Sequence, residues 1–412
     1  MRPTPLSAGD LLQVAPSVEP DCTNREVLEL FGRHKALPCL PVIERGIPIG
    51  MINRNLFVSQ MAKPFHREVF GRKSCIAFMD KNPLVVDADT SLTDLSYLAV
   101  ESGEKALNDG FIVTRDTQYC GIGSATDLMR AITDQTTSKN RQMMESIHYA
   151  SVIQTSFLRQ SAREMRAALD DHVMIWEPRD VVGGDYYYFR RQENGFFAAV
   201  IDCTGHGVPG AFMTLIMASA LDQVLTSSRL DDPAALLSRV NRQVKQSLGQ
   251  YAPADRSVIR GAGSDDGMDA AFMHVDLAAR RLTFAGANTP LFLHHPGDEA
   301  ILTLAGNRMG VAYVDTPEDY RWDNHSVALA PGSSVWASSD GIIDQIGSER
   351  GIAFGKRRMK EVLLDHIDAP LEEQGRQLMH SLSRWQAAGN QRRRDDVSFM
   401  GFRLPRATPP EH

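Results

Sequence analysis

The sequence predicts an α+β chain in three parts: an α/β repeat module, a long connecting helix, and a layered sandwich of strands and paired helices. Three observations carry this reading. The stretches LPVIERGIPIGMINRNLF (40–57) and FIVTRDTQYCGIGSATDL (111–128) align without gaps at an offset of 71. Apolar residues recur at spacings of three and four from Met143 to Leu158, which marks one helical face. Beyond residue 172, short apolar strand patterns follow one another through turns, with helices arriving in pairs.

Composition bounds the function. At 412 residues the chain exceeds one ordinary core, so two or three domains are expected. Hydrophobic content of 43% and charged content of 23% describe a globular protein. No apolar run is expected to reach the roughly 20 residues of a membrane helix. The longest, Ala211–Leu221, is interrupted by Thr214 and Ser219. The start has no cationic stretch leading into an apolar one, so no secretory signal is expected. The cysteines (22, 39, 75, 120 and 203) form no CxxC pair, which fits reduced thiols in a cytoplasm. A net charge of −7 gives no support to a nucleic-acid partner.

In the repeat module, assigned to 1–136, VEPDCTNREVLEL (18–30) also pairs with VVDADTSLTDLSY (85–97) at an offset of 67. Each copy reads as helix, strand, turn, strand, helix, and two copies make a pseudo-symmetric module rather than a solenoid. The block PFHREVFGRKSC (64–75) reads as a linker between copies. The module resembles a pair of cystathionine-β-synthase (CBS) domains, most specifically where Gly121, Ser124 and Asp127 match G-x-x-[ST]-x-x-[DN]. A serine hydroxyl at a helix start can hold a phosphate, and a carboxylate three residues on can accept from ribose hydroxyls. The resemblance implies an adenine nucleotide or related ligand at Ser124 and Asp127. The same two residues would equally serve to cap a helix, and the first copy has Asn53 and Leu56 in their place.

Residues 137–171 form the expected helical linker. An apolar stripe without a partner on such a helix pairs with a second copy, which gives a homodimer, or packs on the next domain.

Residues 172–405 carry the candidate chemistry, and 406–412 read as a disordered tail. VMIWEPRDVVGGD (173–185) reads as a strand and a tight Gly-Gly turn presenting Asp185. FFAAVID is an apolar strand ending on Asp202, and a buried charge there needs a partner. Pro209 is placed at the first position of the helix that follows, and Asp232-Pro233 opens a second helix running to about Leu248. Strands are expected at 269–277, 281–287, 290–295, 333–340 and 397–404, with helices near 356–366 and 372–388. Asp340 ends one of these strands, and the pair Asp395-Asp396 precedes the last. Each acid alone reads as a turn residue. Together, bordering buried strands and lacking His or Cys partners, they point to hard divalent cations, Mg²⁺ or Mn²⁺. Two such ions about 4 Å apart can activate a water and orient a phosphoryl group. Neither a dinucleotide fingerprint nor a P-loop is present.

GGD (183–185), DCTGHGVPGAF (202–212), SSDG (338–341) and DDVSF (395–399) occur in the order found in SpoIIE-type phosphatases, the bacterial branch of the metal-dependent type 2C (PPM) family. The resemblance implies an α-β-β-α sandwich of two antiparallel sheets. It implies a bridging role for Asp202 and one metal held by Asp185 with the backbone carbonyl of Cys203. Asp340 and Asp395 would hold the other, with Asp396 as a further candidate. It also implies a phosphoserine or phosphothreonine substrate on a regulatory protein, often a STAS-domain anti-sigma-factor antagonist. The rival is a pseudo-phosphatase that senses a nucleotide and only binds a phosphoprotein. Relatives often read GGDxxD, where this chain has Tyr188 at the second acid. His206 reads as a general acid or as a local hydrogen-bonding residue. Arg392–Arg394 read as a phosphoprotein-attracting run or as a solvated loop.

Overall fold

The computed structural model describes residues 7–250 and 265–406. The chain divides into two compact units, Met1–Met143 and Met144–His412. From position 407 onward the expected tail lies outside the described residues.

In the first unit, α1 (Asn24–Arg33), the hairpin β1 (Cys39–Glu44) and β2 (Ile47–Asn53), and α2 (Arg54–Met61) make one copy. The connection contains the short helix α3 (His66–Phe70). Then come β3 (Val85–Asp87), α4 (Leu92–Glu101), α5 (Glu104–Asp109), the hairpin β4 (Phe111–Arg115) and β5 (Gln118–Gly123), and the start of α6 (Ala125–Ala168). The two hairpins carry the same register. Val42 faces Gly50 and Val113 faces Gly121, and each ladder slips immediately afterwards, at Val42/Ile43 and Val113/Thr114. The helical halves are capped by Thr23 and Ser91, an offset of 68 rather than 67. Each copy buries its own core: Val27, Phe31, Ile52 and Phe57 in one, Leu92, Leu95, Phe111 and Leu128 in the other.

Helix α6 starts directly after Ser124, as the closing helix of the second copy should, and runs on without a break through the linker helix expected from 137. Neither Gly nor Pro stands between Ser124 and Ala168 to stop it. Within the second unit its inward face carries Gln154, Leu158, Ser161 and Met165. Tyr149, Val152, Ile153 and Phe157 are exposed, so the stripe read from the sequence is split between two faces.

The second unit continues with β6 (Asp171–Glu177), β7 (Asp185–Gln192), β8 (Gly195–Cys203), α7 (Gly207–Thr226), α8 (Pro233–Leu248), β9 (Met268–Asp276) and β10 (Arg281–Ala287). Next are β11 (Leu291–His294), β12 (Leu302–Leu304), β13 (His325–Ala328), β14 (Ser334–Ser338) and α9 (Asp340–Ile343). A small hairpin, β15 (Ile346–Gly347) and β16 (Ile352–Ala353), leads to α10 (Gly355–Asp365), α11 (Leu371–Ala388) and β17 (Val397–Arg403). Two antiparallel sheets result, in the orders β13-β10-β9-β8-β7 and β12-β11-β14-β17-β6. Helices α7 and α8 cover the first and α11 lies on the second, which is the expected α-β-β-α sandwich.

Strand β8 lies between β7 and β9 and is buried along nearly its whole length, which explains its unbroken apolar run. Phe196 stacks on Phe189 at 4.9 Å and meets Phe402 of the other sheet edge-on at 5.0 Å. Burial of such a ring stabilises the fold by about 1.5–3 kcal/mol. Phe196, Ala198 and Val200 therefore face the second sheet, and by alternation so do Asp202 and its partner Asp185. Tyr188 falls on the opposite face of β7, with Arg190 over its ring.

Helix α7 corrects one expectation. At 20 residues it is long and apolar enough to span a membrane by length and composition. It is buried at Met213, Met217, Leu221 and Val224, as a core helix is. It starts at Gly207, two residues before Pro209, which sits harmlessly in the first turn, where N–H groups lack helical partners anyway. Helix α8 runs as expected, with Asp232 accepting from the Ala235 N–H at 3.1 Å and Gly249 closing it in the left-handed region.

Candidate metal centre

Strand register assembles the acids. Asp185 opens β7 and is the direct cross-strand partner of Asp202 on β8, which in turn pairs with Asp269 on β9. Directly paired residues project to one face, so three carboxylates form a row across three strands. The second sheet brings Asp340, whose amide lies 3.4 Å from Asp202 Oδ2. Asp202 and Asp340 line one cavity of about 230 Å³ with Asp269, Asn288, Asp344 and Lys356. Asp395 stands close enough to raise the pKa of both Asp202 and Asp340.

The electrostatics are those of crowded acids in a poorly solvated place. Burial pushes the Asp202 carboxyl well above the usual range, and Asp185, Asp340 and Asp395 push it further. Burial also raises Asp185, against the hydrogen bond from Ser339 at 2.7 Å. Asp340 is raised by desolvation, then by Asp395 and Asp344.

The donors fit hard cations. Asp185 is 1% exposed, yet its Oδ1 has no hydrogen-bond partner. An orphaned buried carboxylate oxygen beside a second carboxylate is what a cation would satisfy. The Cys203 carbonyl faces the same loop: a Cβ on Gly184 would come within 2.8 Å of its oxygen. Among the described residues no three His, Cys, Asp or Glu side chains are grouped closely enough to hold one ion by themselves. Mg²⁺ is suited to that arrangement, since it takes one or two carboxylates and keeps several waters.

Asp396 has a different position from the other acids. It is buried, and both its oxygens are taken: Oδ1 accepts from Arg179 N and Oδ2 from Gly184 N, each at 2.6 Å. It pins both ends of the loop that delivers Asp185. The Arg179 side chain donates from Nη1 to the Arg394 carbonyl at 3.0 Å and to His206 Nε2 at 2.6 Å. Arginine only donates, so Nε2 accepts and the ring proton of His206 lies on Nδ1, 3.1 Å from Asp180 Oδ2. His206 is thus engaged locally on both nitrogens. The Arg392–Arg394 run is held by Gln345, and Arg393 pairs with Glu177 at 2.7 Å.

Gln154 of α6 escaped the sequence reading. It is 3% exposed, and its Nε2 donates to the Gly183 carbonyl at 2.6 Å and to Thr214 Oγ1 at 3.0 Å. Its Oε1 accepts from Gly183 N at 3.2 Å. The only signal was a polar residue on the face shared by Ala150 and Leu158. In the first unit, Ser124 Oγ donates to Asp127 Oδ2 at 2.7 Å and accepts from Asp127 N at 3.1 Å, a helix cap. Gln13 Nε2 also donates to Asp127 Oδ2, at 2.7 Å. Asn53 accepts from Leu56 N at 2.8 Å and donates to Asp109.

The family model of Stage II sporulation protein E (SpoIIE) matches residues 192–405, and that of the CBS domain matches residues 8–61 and 75–134. The chain belongs to the SpoIIE family and carries a CBS pair ahead of the phosphatase-type domain. The matched span contains Asp202, Cys203, Asp340, Asp395 and Asp396 and stops short of Asp185. The chain is 36% identical to the SiaA-PP2C domain of Pseudomonas aeruginosa, with a TM-score of 0.55, over 65% of this chain and 98% of that one. Phosphoserine phosphatase RsbP of Bacillus subtilis (strain 168) is 21% identical over 238 residues, 56% of this chain and 52% of RsbP. Phosphoserine phosphatase RsbU of the same organism is 21% identical over 247 residues, 60% of this chain and 67% of RsbU. The chain therefore matches about half the length of the first of these relatives and two thirds of the second.

Proposed function

We infer that this chain is a metal-dependent protein serine/threonine phosphatase acting on a phosphorylated regulatory partner and controlled by its CBS module. The carrying observation is the cross-strand pairing of Asp185 with Asp202, with Asp340 brought to Asp202 from the other sheet. Asp202 would be shared by two Mg²⁺ or Mn²⁺ ions, with Asp185 and the Cys203 carbonyl on one side and Asp340 and Asp395 on the other. When bound, the ions supply the positive charge that acidifies an attacking water and neutralises phosphoryl oxygens. The chain's own part is to fix these ligands before substrate arrives. Asp396 holds the Asp185 loop, and Arg179 presents a guanidinium beside the residue preceding Asp395. The phosphatase names of RsbP and RsbU support the reaction class, and a STAS-domain antagonist is the partner this reading takes.

The exposed residues Tyr149, Val152, Ile153 and Phe157 on α6 support a homodimer, and the five free cysteines suit a cytoplasm. Regulation runs through α6 in this reading, because Gln154 grips Gly183 from both sides. A Gln154→Leu variant leaves the Gly183 N–H and C=O unpaired, a cost of about 1–3 kcal/mol each. Phosphatase rate should fall at least about tenfold, because the loop that delivers Asp185 loses its anchor and misplacement by about an ångström can cost about 10²-fold. An unchanged Mn²⁺-saturated rate would separate α6 from the site. A nucleotide bound at Ser124 and Asp127 would compete with Gln13 and Ser124 for Asp127 Oδ2.

The reaction itself is tested by phosphate release from a phosphorylated STAS domain and from free phosphoserine, with and without Mn²⁺. Release should need Mn²⁺ and favour the protein substrate. Metal-independent release, or equal turnover of the amino acid, would remove the protein-phosphatase reading.

A further inference from the structure

Ser339 lies between β14 and α9, in the position from which a serine ordinarily accepts a helix N–H two or three residues on. It makes no such cap. Its hydroxyl instead accepts from Ser398 N at 2.9 Å and donates to Asp185 Oδ2 at 2.7 Å. The Ser339 N–H donates to the Ser398 carbonyl at 2.9 Å, so main chain and side chain are both fixed. The residue is 1% exposed. With the Ser398 N–H on a hydroxyl lone pair, the hydroxyl hydrogen is directed to Asp185. One carboxylate oxygen of Asp185 is therefore held, while Oδ1 is buried without a hydrogen-bond partner, as is the hydroxyl of Ser398 close by. The next residue, Asp340, turns its amide toward Asp202. Residues 339 and 340 thus touch both paired acids of the facing sheet.

We propose that Ser339 is a positioning residue for the metal centre, orienting Asp185 so that Oδ1 is presented to a divalent cation. This rests on the metal-site reading above. Ser339 acts through the carboxylate and touches neither ion nor substrate. Partners that orient a metal ligand typically change metal affinity 10–100-fold when removed. A serine that merely tied a strand end would change folding stability and leave metal affinity alone.

The test uses the full chain, with free Mn²⁺ measured by electron paramagnetic resonance, phosphate release followed against Mn²⁺ concentration, and thermal unfolding recorded beside both. Ser339→Ala should weaken Mn²⁺ binding about 10–100-fold and shift the Mn²⁺ dependence of the rate by the same factor. At saturating Mn²⁺ its rate should return to within about threefold of wild type, as expected when binding rather than chemistry is impaired. Ser339→Cys replaces the hydroxyl by a larger and weaker donor and should show a smaller loss in the same direction. It carries the test if the alanine variant does not fold. A folded variant of either kind with wild-type Mn²⁺ affinity overturns the assignment. Wild-type protein that binds no Mn²⁺ overturns the metal reading itself, a pattern distinct from a difference between variants.

Discussion

Asp202→Asn should abolish Mn²⁺-dependent phosphate release while leaving the fold intact. Asp202 is the hub of the acid row, paired with Asp185 and Asp269 in the sheet and met by the Asp340 amide. Loss of a single preorganised electrostatic contact commonly costs 10²–10³ in rate, and a ligand shared by two ions should cost about 10³-fold or more. The amide is nearly isosteric, so packing survives. Stability should hold or rise in the ion-free protein. The folded carboxyl has a raised pKa, so its charged form destabilises the fold at neutral pH, and that cost fades as pH falls through the raised value. A neutral amide never incurs it. Wild-type protein should gain melting temperature with Mn²⁺ by mass action, and the variant should not. A variant within tenfold of wild-type rate would end the claim that Asp202 is shared.

Gly184→Ala should damage both rate and stability. A Cβ there would collide with the Gly205 carbonyl and reach 2.8 Å from that of Cys203. Gly205 sits at φ 84°, and Gly210 packs against Gly184, where its own Cβ would be 2.8 Å from the Gly184 Cα. The three glycines let the Asp185 loop, the Cys203–Gly207 turn and α7 touch backbone to backbone. Overpacking of this kind costs about 1–3 kcal/mol. It also moves Asp185 against Cys203, so phosphate release should fall about 10²-fold, as misplacement by an ångström can do. Urea unfolding and Mn²⁺-dependent release measure the two effects. A variant unchanged in both would show that the backbones have room to separate.

Much of this was legible because it is local. The buried run 196–201, Asp232-Pro233 and the duplicated hairpins announce their structures through periodicity, capping and repeat, and the motifs GGD, DCTGHG, SSDG and DDVSF mark the strand ends. What stayed hidden depends on distant partners. Asp395 and Asp396 are adjacent and chemically identical in the sequence. Only the fold shows Asp396 holding the amides of Arg179 and Gly184 while Asp395 stands beside Asp202 and Asp340. Gln154 and Asp269 gave no local sign, since their roles are set by Gly183 and by pairing with Asp202. The extent of α6 was underestimated because periodicity marks burial, and its stretch 133–146 is almost entirely exposed.

Cross-strand pairing from β7 to β9 also limits how this protein can change in length. The acid row faces inward only while side-chain parity is kept, and sliding β8 by one residue would turn Asp202 toward α7 and α8. Single-residue deletions within β8 should therefore be lethal to function, while added residues at the Glu193–Asn194 reverse turn leave parity intact. Libraries that diversify chain length should recover active clones from such turns and none from the ladder.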